Sequence, residues 1–356
     1  MAIKLGASSY SWQHAYFLGK MSLEDCIASL SEAGGTGFEL IPEQMLPDDN
    51  FVRLEDSFKD AWFGWMDKYG MTPTCLDHFN DDNLYSNRTL TLQEQVDLAE
   101  NYLILAKKLG FFCLRVLTTT PFEVLERVIP MAEYYGVKMG LEIHAPMSMK
   151  SEWADRWGNL IERKGTKYAG FIPDFGIFSK RPFTVLTQNL INRGAKPEIV
   201  DYIVKRYVEI HEARFNATEV KKYGMELLQI NDEMRVLEEE VKKMGGGQFE
   251  VAIVRGRYNY DNPQWMLDVL PLIIHVHAKF YDMVEDGKGG YTDPNVDTER
   301  AVRVLRDGGY DGYLTSEYEG PFITSMFGGL HGLEFLDECE AVRRHQVFLK
   351  SILDAK

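Results

Sequence analysis

No run of about 18 apolar residues, the length a bilayer-crossing helix needs, occurs in this chain, so no membrane span is expected. Cysteine is scarce. The four present, Cys26, Cys75, Cys113 and Cys339, are scattered and form no CxxC pair. That removes the usual structural zinc sites and reads as core thiols in a reducing cytoplasm. Basic residues are outnumbered, 39 Lys and Arg against 54 Asp and Glu, for a formal charge of −15. A nucleic-acid surface normally needs a basic stripe, so nucleic acid is not an expected partner. No Gly-rich phosphate fingerprint follows the first strand, which weakens a dinucleotide-binding reading. The opening Met1-Ala2-Ile3-Lys4-Leu5-Gly6 reads directly as a strand with no apolar signal region, so a cytoplasmic protein is expected.

What the chain does have is alternation. Its 356 residues are 45% hydrophobic, ample for a full core. Apolar strand patterns fall at 3–8, 37–40, 71–77, 112–117, 138–144, 168–174, 272–277 and 311–317, with helical patterns between them. Ser22 reads as an N-cap before Leu23, Ile27 and Leu30, and Thr91 starts a long amphipathic helix stopped at Gly110. A closing helix is expected from about 332 to 353. Alternation of this kind calls for a parallel sheet with helical crossovers. Eight strands with polar residues gathered at their ends predict an α/β fold, a (β/α)8 TIM barrel, as a single domain over 1–356.

One crossover is too long. About 100 residues separate Asp174 from His277, roughly three times what a barrel unit needs. A long helical insertion, 178–262, is therefore expected between strands six and seven. Within it Val220, Tyr223, Leu227, Ile230, Met234, Leu237, Val241 and Met244 recur at 3-4 spacing, up to Gly245-Gly246-Gly247. Ile199, Ile203, Tyr207 and Ile210 form a second stripe out of phase with the first. A helical hairpin broken near Asn216 follows. Its stripes either pack on each other, or leave a face that covers the active site or grips another subunit.

The chemistry is read from strand ends. Gly140-Leu141-Glu142-Ile143-His144 puts a carboxylate and an imidazole two residues apart, on the same side of a strand and about 6–7 Å from one another. Other runs end on Asp174, His277 and Glu317. Four such residues at the C-terminal ends of barrel strands predict one metal site with ligands Glu142, Asp174, His277 and Glu317. Its oxygen-rich set favours Mn²⁺ or Mg²⁺. His144, expected nearer the barrel mouth than Glu142, suits acid–base work on substrate, with a ligand role as the alternative. His14 and His78 are expected on loops at the same face, contacting substrate or merely solvated. His275 is expected beside or beneath His277, and Lys279 with Asp282 just beyond the strand at the rim. Glu39 and Glu319 are further strand-end carboxylates near the site.

Taken in order, Leu23–Glu39, Gly140–Glu142, Asp174, His275-Val276-His277-Ala278-Lys279 and Gly309–Glu317 resemble the xylose-isomerase-like barrel family of sugar epimerases, inosose dehydratases and endonuclease-IV-like proteins. The resemblance implies the same four metal ligands. Within that family, Glu142-Ile143-His144 and the long insertion are most similar to the large catalytic (alpha) subunits of C-glycoside deglycosidases. That resemblance implies a Mn²⁺ enzyme, with Mg²⁺ or Co²⁺ as other candidates, that cleaves 3-oxo-C-glycosides with His144 as general base. It also implies a small beta subunit in a hetero-oligomer. From their positions at the same barrel face, His14, His78, His275 and Lys279 are the candidate substrate-binding residues. The alternative activity is a metal-dependent sugar isomerase, epimerase or inosose-type dehydratase, because the same machinery would serve an enediolate.

Overall fold

The computed structural model describes residues 2–46, 54–215, 232–256, 258–321 and 335–355. Eight strands form the frame: β1 Lys4–Ser8, β2 Gly37–Leu40, β3 Thr72–His78, β4 Cys113–Val116, β5 Lys138–Ile143, β6 Ala169–Pro173, β7 Val276–Phe280 and β8 Tyr313–Tyr318. Their order is β6-β5-β4-β3-β2-β1-β8-β7, and every neighbouring pair is parallel. Single parallel bridges, Phe171 to Ile273 and Asp174 to His277, bring the two ends together. The sheet is thus a nearly closed barrel, as the alternation predicts.

Helices wrap the outside, and local chemistry sets their ends. α1 (Leu23–Glu32) and α2 (Asp56–Tyr69) are followed by α3 (Leu92–Leu109), α4 (Phe122–Tyr135) and α5 (Glu152–Lys164). Ser22 and Thr91 cap α1 and α3 in reciprocal boxes with Asp25 and Glu94. Gly70 and Gly110 end α2 and α3 at φ of 66° and 81°, a conformation glycine adopts without strain. Outward strand residues such as Leu114, Leu141, Ile143, Val276 and Phe280 are buried beneath these helices. The barrel floor is a separate small plug of Cys75, Cys113 and Ile172 with Ile274 against it. Among the described residues, no helix is long and apolar enough to cross a membrane.

The crossover from β6 to β7 carries α6 (Thr184–Asn192), α7 (Pro197–Phe215), α8 (Asp232–Lys243) and α9 (Gln248–Val254), then a 3₁₀ segment, Pro263–Leu272. Val220, Tyr223, Leu227 and Ile230, like Asn216, lie outside the described residues. The rest of the expected stripe is not an open face. Met234, Leu237 and Val241 on α8 are buried in one core with Ile199, Ile203 and Tyr207 on α7. The Tyr202 hydroxyl donates to Glu240 across the pair at 3.0 Å. Here the two stripes pack on each other, so neither Leu237 nor Val241 is available to another subunit. Met244 alone of these is exposed.

Strand seven also starts later than its apolar pattern suggests. The run 272–277 reads as strand, yet Leu272 still lies within the 3₁₀ segment that holds Pro271, and β7 begins only at Val276. The last inward position is therefore Lys279 within the strand, and not a rim residue beyond it.

The β6–β7 join leaves no room at Gly170, where a Cβ would run into the Leu272 carbonyl oxygen and the Ile274 side chain. Gly170→Ala should destabilise the fold by about 1–3 kcal/mol through overpacking, read by urea denaturation. An unchanged midpoint would mean that this join can spread at no cost.

Candidate metal centre

Alternation along each strand decides which side chains enter the barrel. Glu142 on β5, Asp174 just after β6, His277 on β7 and Glu317 on β8 point inward together. One nitrogen or oxygen from each lies within 4.8 Å of the others, and all four residues are buried. His277 Nδ1 is 2.8 Å from Glu142 Oε1 and 3.6 Å from Glu317 Oε2. Lys279, one inward step further along β7, places Nζ 3.0 Å from Asp174 Oδ2, 3.3 Å from Glu317 Oε2 and 3.1 Å from Glu319 Oε1. On the opposite wall Arg115 of β4 donates from Nε to Asp77 Oδ1 at 3.1 Å and lies 3.7 Å from Glu142 Oε2.

These neighbours set the charges. Burial opposes ionisation of Glu142, yet Arg115 and His277 hold its carboxyl well below the usual carboxylate range. Burial wins at Asp174 and pushes it up to about 7 despite Lys279. For His277 burial disfavours the charged ring, but Glu39, Glu317 and Glu142 outweigh it and raise the pKa well above normal. Asp174 Oδ2 and Glu317 Oε2 are met by a single ammonium, that of Lys279, and each carboxylate oxygen has a second lone pair. Three buried carboxylates and one imidazole converging within 4.8 Å fit a hard divalent cation.

The other expected site residues divide. His144 directly follows β5, is half-buried, and has Nδ1 2.6 Å from the Ala145 carbonyl oxygen. It stands two residues beyond Glu142, at the end of β5, one of the strands from which the cluster is built. His14 is half-buried in the short helix Gln13–Phe17 after β1, its backbone N–H bonded to Glu338. Three expectations need correction. His78 is the outward neighbour of inward Asp77, so its ring is buried against Tyr102 and not at the mouth. Burial and Arg115 hold its pKa down at about 3. His275 lies one inward step below His277, fully buried with Nε2 2.9 Å from both Glu39 Oε2 and Thr315 Oγ1. It cannot reach a substrate at the mouth. Lys279 is a buried counter-ion within the cluster and not a rim residue.

Arg115 escapes a search of strand ends, and Asp77, which ends the expected strand 71–77, is not singled out there. The signal that finds Arg115 is a charged residue inside an apolar strand, as in Cys113-Leu114-Arg115-Val116. The returning end of the insertion contributes as well. Ser148 Oγ and the Met149 N–H donate to the buried Asp261 carboxylate, and Asn259 Nδ2 donates to the Pro146 carbonyl at 3.0 Å. Asp261 N–H in turn bonds Ile177 O, and Ser179 N–H bonds Asn259 O. Residues 259–261 thereby tie the loop after His144 to the loop after Asp174.

No family model matches the chain. Among curated proteins it is 30% identical over 325 residues to a C-glycoside deglycosidase alpha subunit from Arthrobacter globiformis, covering 89% of this chain and 85% of that one. The chain belongs to the C-glycoside deglycosidase alpha-subunit family. A second relative in that family, a 3'-dehydrocarminate deglycosidase alpha subunit from Microbacterium sp., is 27% identical over 321 residues, 89% of this chain and 88% of its own length. Alpha subunits of this family are named as deglycosidases, so the chain is an enzyme. Solved structures share its fold at low identity. A D-psicose 3-epimerase structure determined with D-fructose matches at TM-score 0.54 and 12% identity, covering 99% of this chain and 100% of that one. An L-ribulose 3-epimerase matches at 0.53 and 13%, covering 99% and 95%. These are barrels of the xylose-isomerase-like type.

Arg115→Met would leave Asp77 and Glu142 buried without their shared cation. Breaking a buried pair in this way costs about 3–5 kcal/mol, so denaturant unfolding should show a loss of that order. A loss under about 1 kcal/mol would mean that the carboxylates are neutralised by other means.

Proposed function

We propose that the chain is the large catalytic subunit of a divalent-metal-dependent C-glycoside deglycosidase, a carbon–carbon lyase acting on 3-oxo-C-glycosides with a small beta subunit. The observation that carries this is the buried Glu142–Asp174–His277–Glu317 cluster with His144 beside it, in a chain whose curated relatives are named alpha subunits of such enzymes. Mn²⁺ is the proposed ion, and the barrel with its 178–262 insertion is the proposed catalytic domain.

The bond explains the need for this set. An aryl carbon on C1 offers no leaving oxygen for a carboxylic acid to protonate, which is how paired-carboxylate glycosidases work. A ketone at C3 makes the C2 proton acidic instead. When bound, the ion would supply Lewis-acid stabilisation to oxygen on the sugar. Glu142, Asp174, His277 and Glu317 would hold it. His144 removes the C2 proton: with Nδ1–H donated to the Ala145 carbonyl, Nε2 keeps a free lone pair. The C2–H electron pair becomes the enolate. As the C3 carbonyl re-forms, C1=C2 forms and the bond from C1 to the aglycone breaks. Its electron pair goes to the aglycone carbon, which takes up a proton. Nothing is oxidised or reduced overall. Lys279 keeps the carboxylates Asp174, Glu317 and Glu319 together through its ammonium group.

The deciding experiment is incubation of metal-loaded protein, with its companion subunit, with a 3-oxo-C-glucoside. Release of free aglycone and an unsaturated keto-sugar is expected; epimerised sugar without aglycone release would make it an epimerase instead. Glu142→Gln and Glu317→Gln should lose most bound Mn²⁺ by elemental analysis while remaining folded, and full occupancy in both would sink the ligand set. His144→Gln should keep its metal and lose about 10²–10⁴-fold in turnover. If the metal leaves with the activity, His144 is a ligand and not the base.

A further inference from the structure

Beneath the proposed metal ligands lies a carboxylate that the reaction does not use. Glu39 of β2 is fully buried, and its Oε2 takes both His275 Nε2 at 2.9 Å and His277 Nε2 at 3.2 Å. His277 is therefore gripped at both ring nitrogens. Nδ1 faces Glu142 and Glu317, while Nε2 faces only Glu39 among the contacts of this ring with carboxylates. A carboxylate accepts hydrogen bonds and donates none, so without an ion both ring nitrogens can donate, Nε2 to Glu39 and Nδ1 to Glu142. Nδ1 is the nitrogen that faces the other proposed ligands, Glu142 and Glu317, so it is the one whose hydrogen a shared cation would replace, while Nε2 keeps its own toward Glu39.

We propose that Glu39 is a positioning residue for the metal centre: it fixes His277 as the Nε2–H tautomer, sets the ring's rotation, and makes Nδ1 the ligand atom. His275 completes the support. Its own Nε2, shared between Glu39 Oε2 and Thr315 Oγ1, ties the Glu39 carboxylate to β8 and keeps it from swinging away. The level below the ligands thus consists of Glu39 on β2, Thr315 on β8 and His275, which immediately precedes β7. Outer hydrogen bonds of this kind both orient a histidine ligand and raise its basicity, and losing them costs about 10–100-fold in metal affinity. The proposal rests on the metal-site reading and extends it to a residue that touches neither ion nor substrate.

The test is metal binding in full-length protein, by calorimetric titration of Mn²⁺ and by the visible spectrum of the Co²⁺ form. Glu39→Ala should weaken Mn²⁺ binding by about 100-fold, the upper end of that range, and alter the Co²⁺ bands. Glu39→Gln, whose amide oxygen can still accept from Nε2, should lose only about 10-fold, the lower end, and retain bands close to wild type. The Gln variant keeps the shape of the side chain, so it answers the question even if the Ala variant fails to fold. Wild-type affinity and spectrum in the Gln and Ala variants alike would overturn the role given to Glu39, as would a Gln variant no better than Ala. Wild-type protein that binds neither ion would instead overturn the metal site itself.

Discussion

Buried charge inside the barrel is what the rest of the structure has to accommodate. Glu39, Asp77, Glu142, Asp174 and Glu317 all lie inside the strand ring and out of water. A carboxylate taken from water without compensation is expensive. Arg115 serves Asp77 and Glu142 on one wall, Lys279 serves Asp174 and Glu317 on the other, and His277 stands between Glu39 and Glu142. The apolar plug of Cys75, Cys113 and Ile172 seals the floor. The polar interior can exist because it rests on a dry base and beneath loops that are themselves tied down.

That arrangement explains which parts of the site were legible in the sequence. Glu142, Asp174 and Glu317 end apolar runs, and a carboxylate at such a position stands out from the pattern. The barrel followed from alternation and from caps such as Ser22 and Thr91, which are local signals. Side-chain direction was harder, because it depends on where each strand begins. Asp77 and His78 are adjacent, and pleating alone sends one to the centre and the other to Tyr102. Lys279 looked like a rim residue because the Pro271 turn delays β7. Arg115 was hidden in a strand whose other residues are apolar. Its role comes from Asp77 and Glu142 on β3 and β5, which no pattern within one strand reveals.

The insertion teaches the same lesson about phase. A regular apolar spacing shows that a helix face must be covered, and not by what. For Met234, Leu237 and Val241 the cover is α7 of the same chain. The insertion meets the site elsewhere, through the Asn259–Asp261 return, where hydrogen bonds reach the backbone on either side of the barrel opening. Its bearing on chemistry is through loop placement and not through an exposed stripe.

Where the barrel closes has a mechanical consequence. Seven strand pairs share ordinary ladders, but β6 and β7 are joined by single bridges, one of which pairs Asp174 with His277. Two proposed ligands are thus facing residues across the thinnest part of the wall. A cation held between them would act as a rivet in that wall, and the whole insertion springs from its two sides. Loading the site would stiffen the one place where the cylinder could open, so the ion would be a structural fastener as well as a reagent.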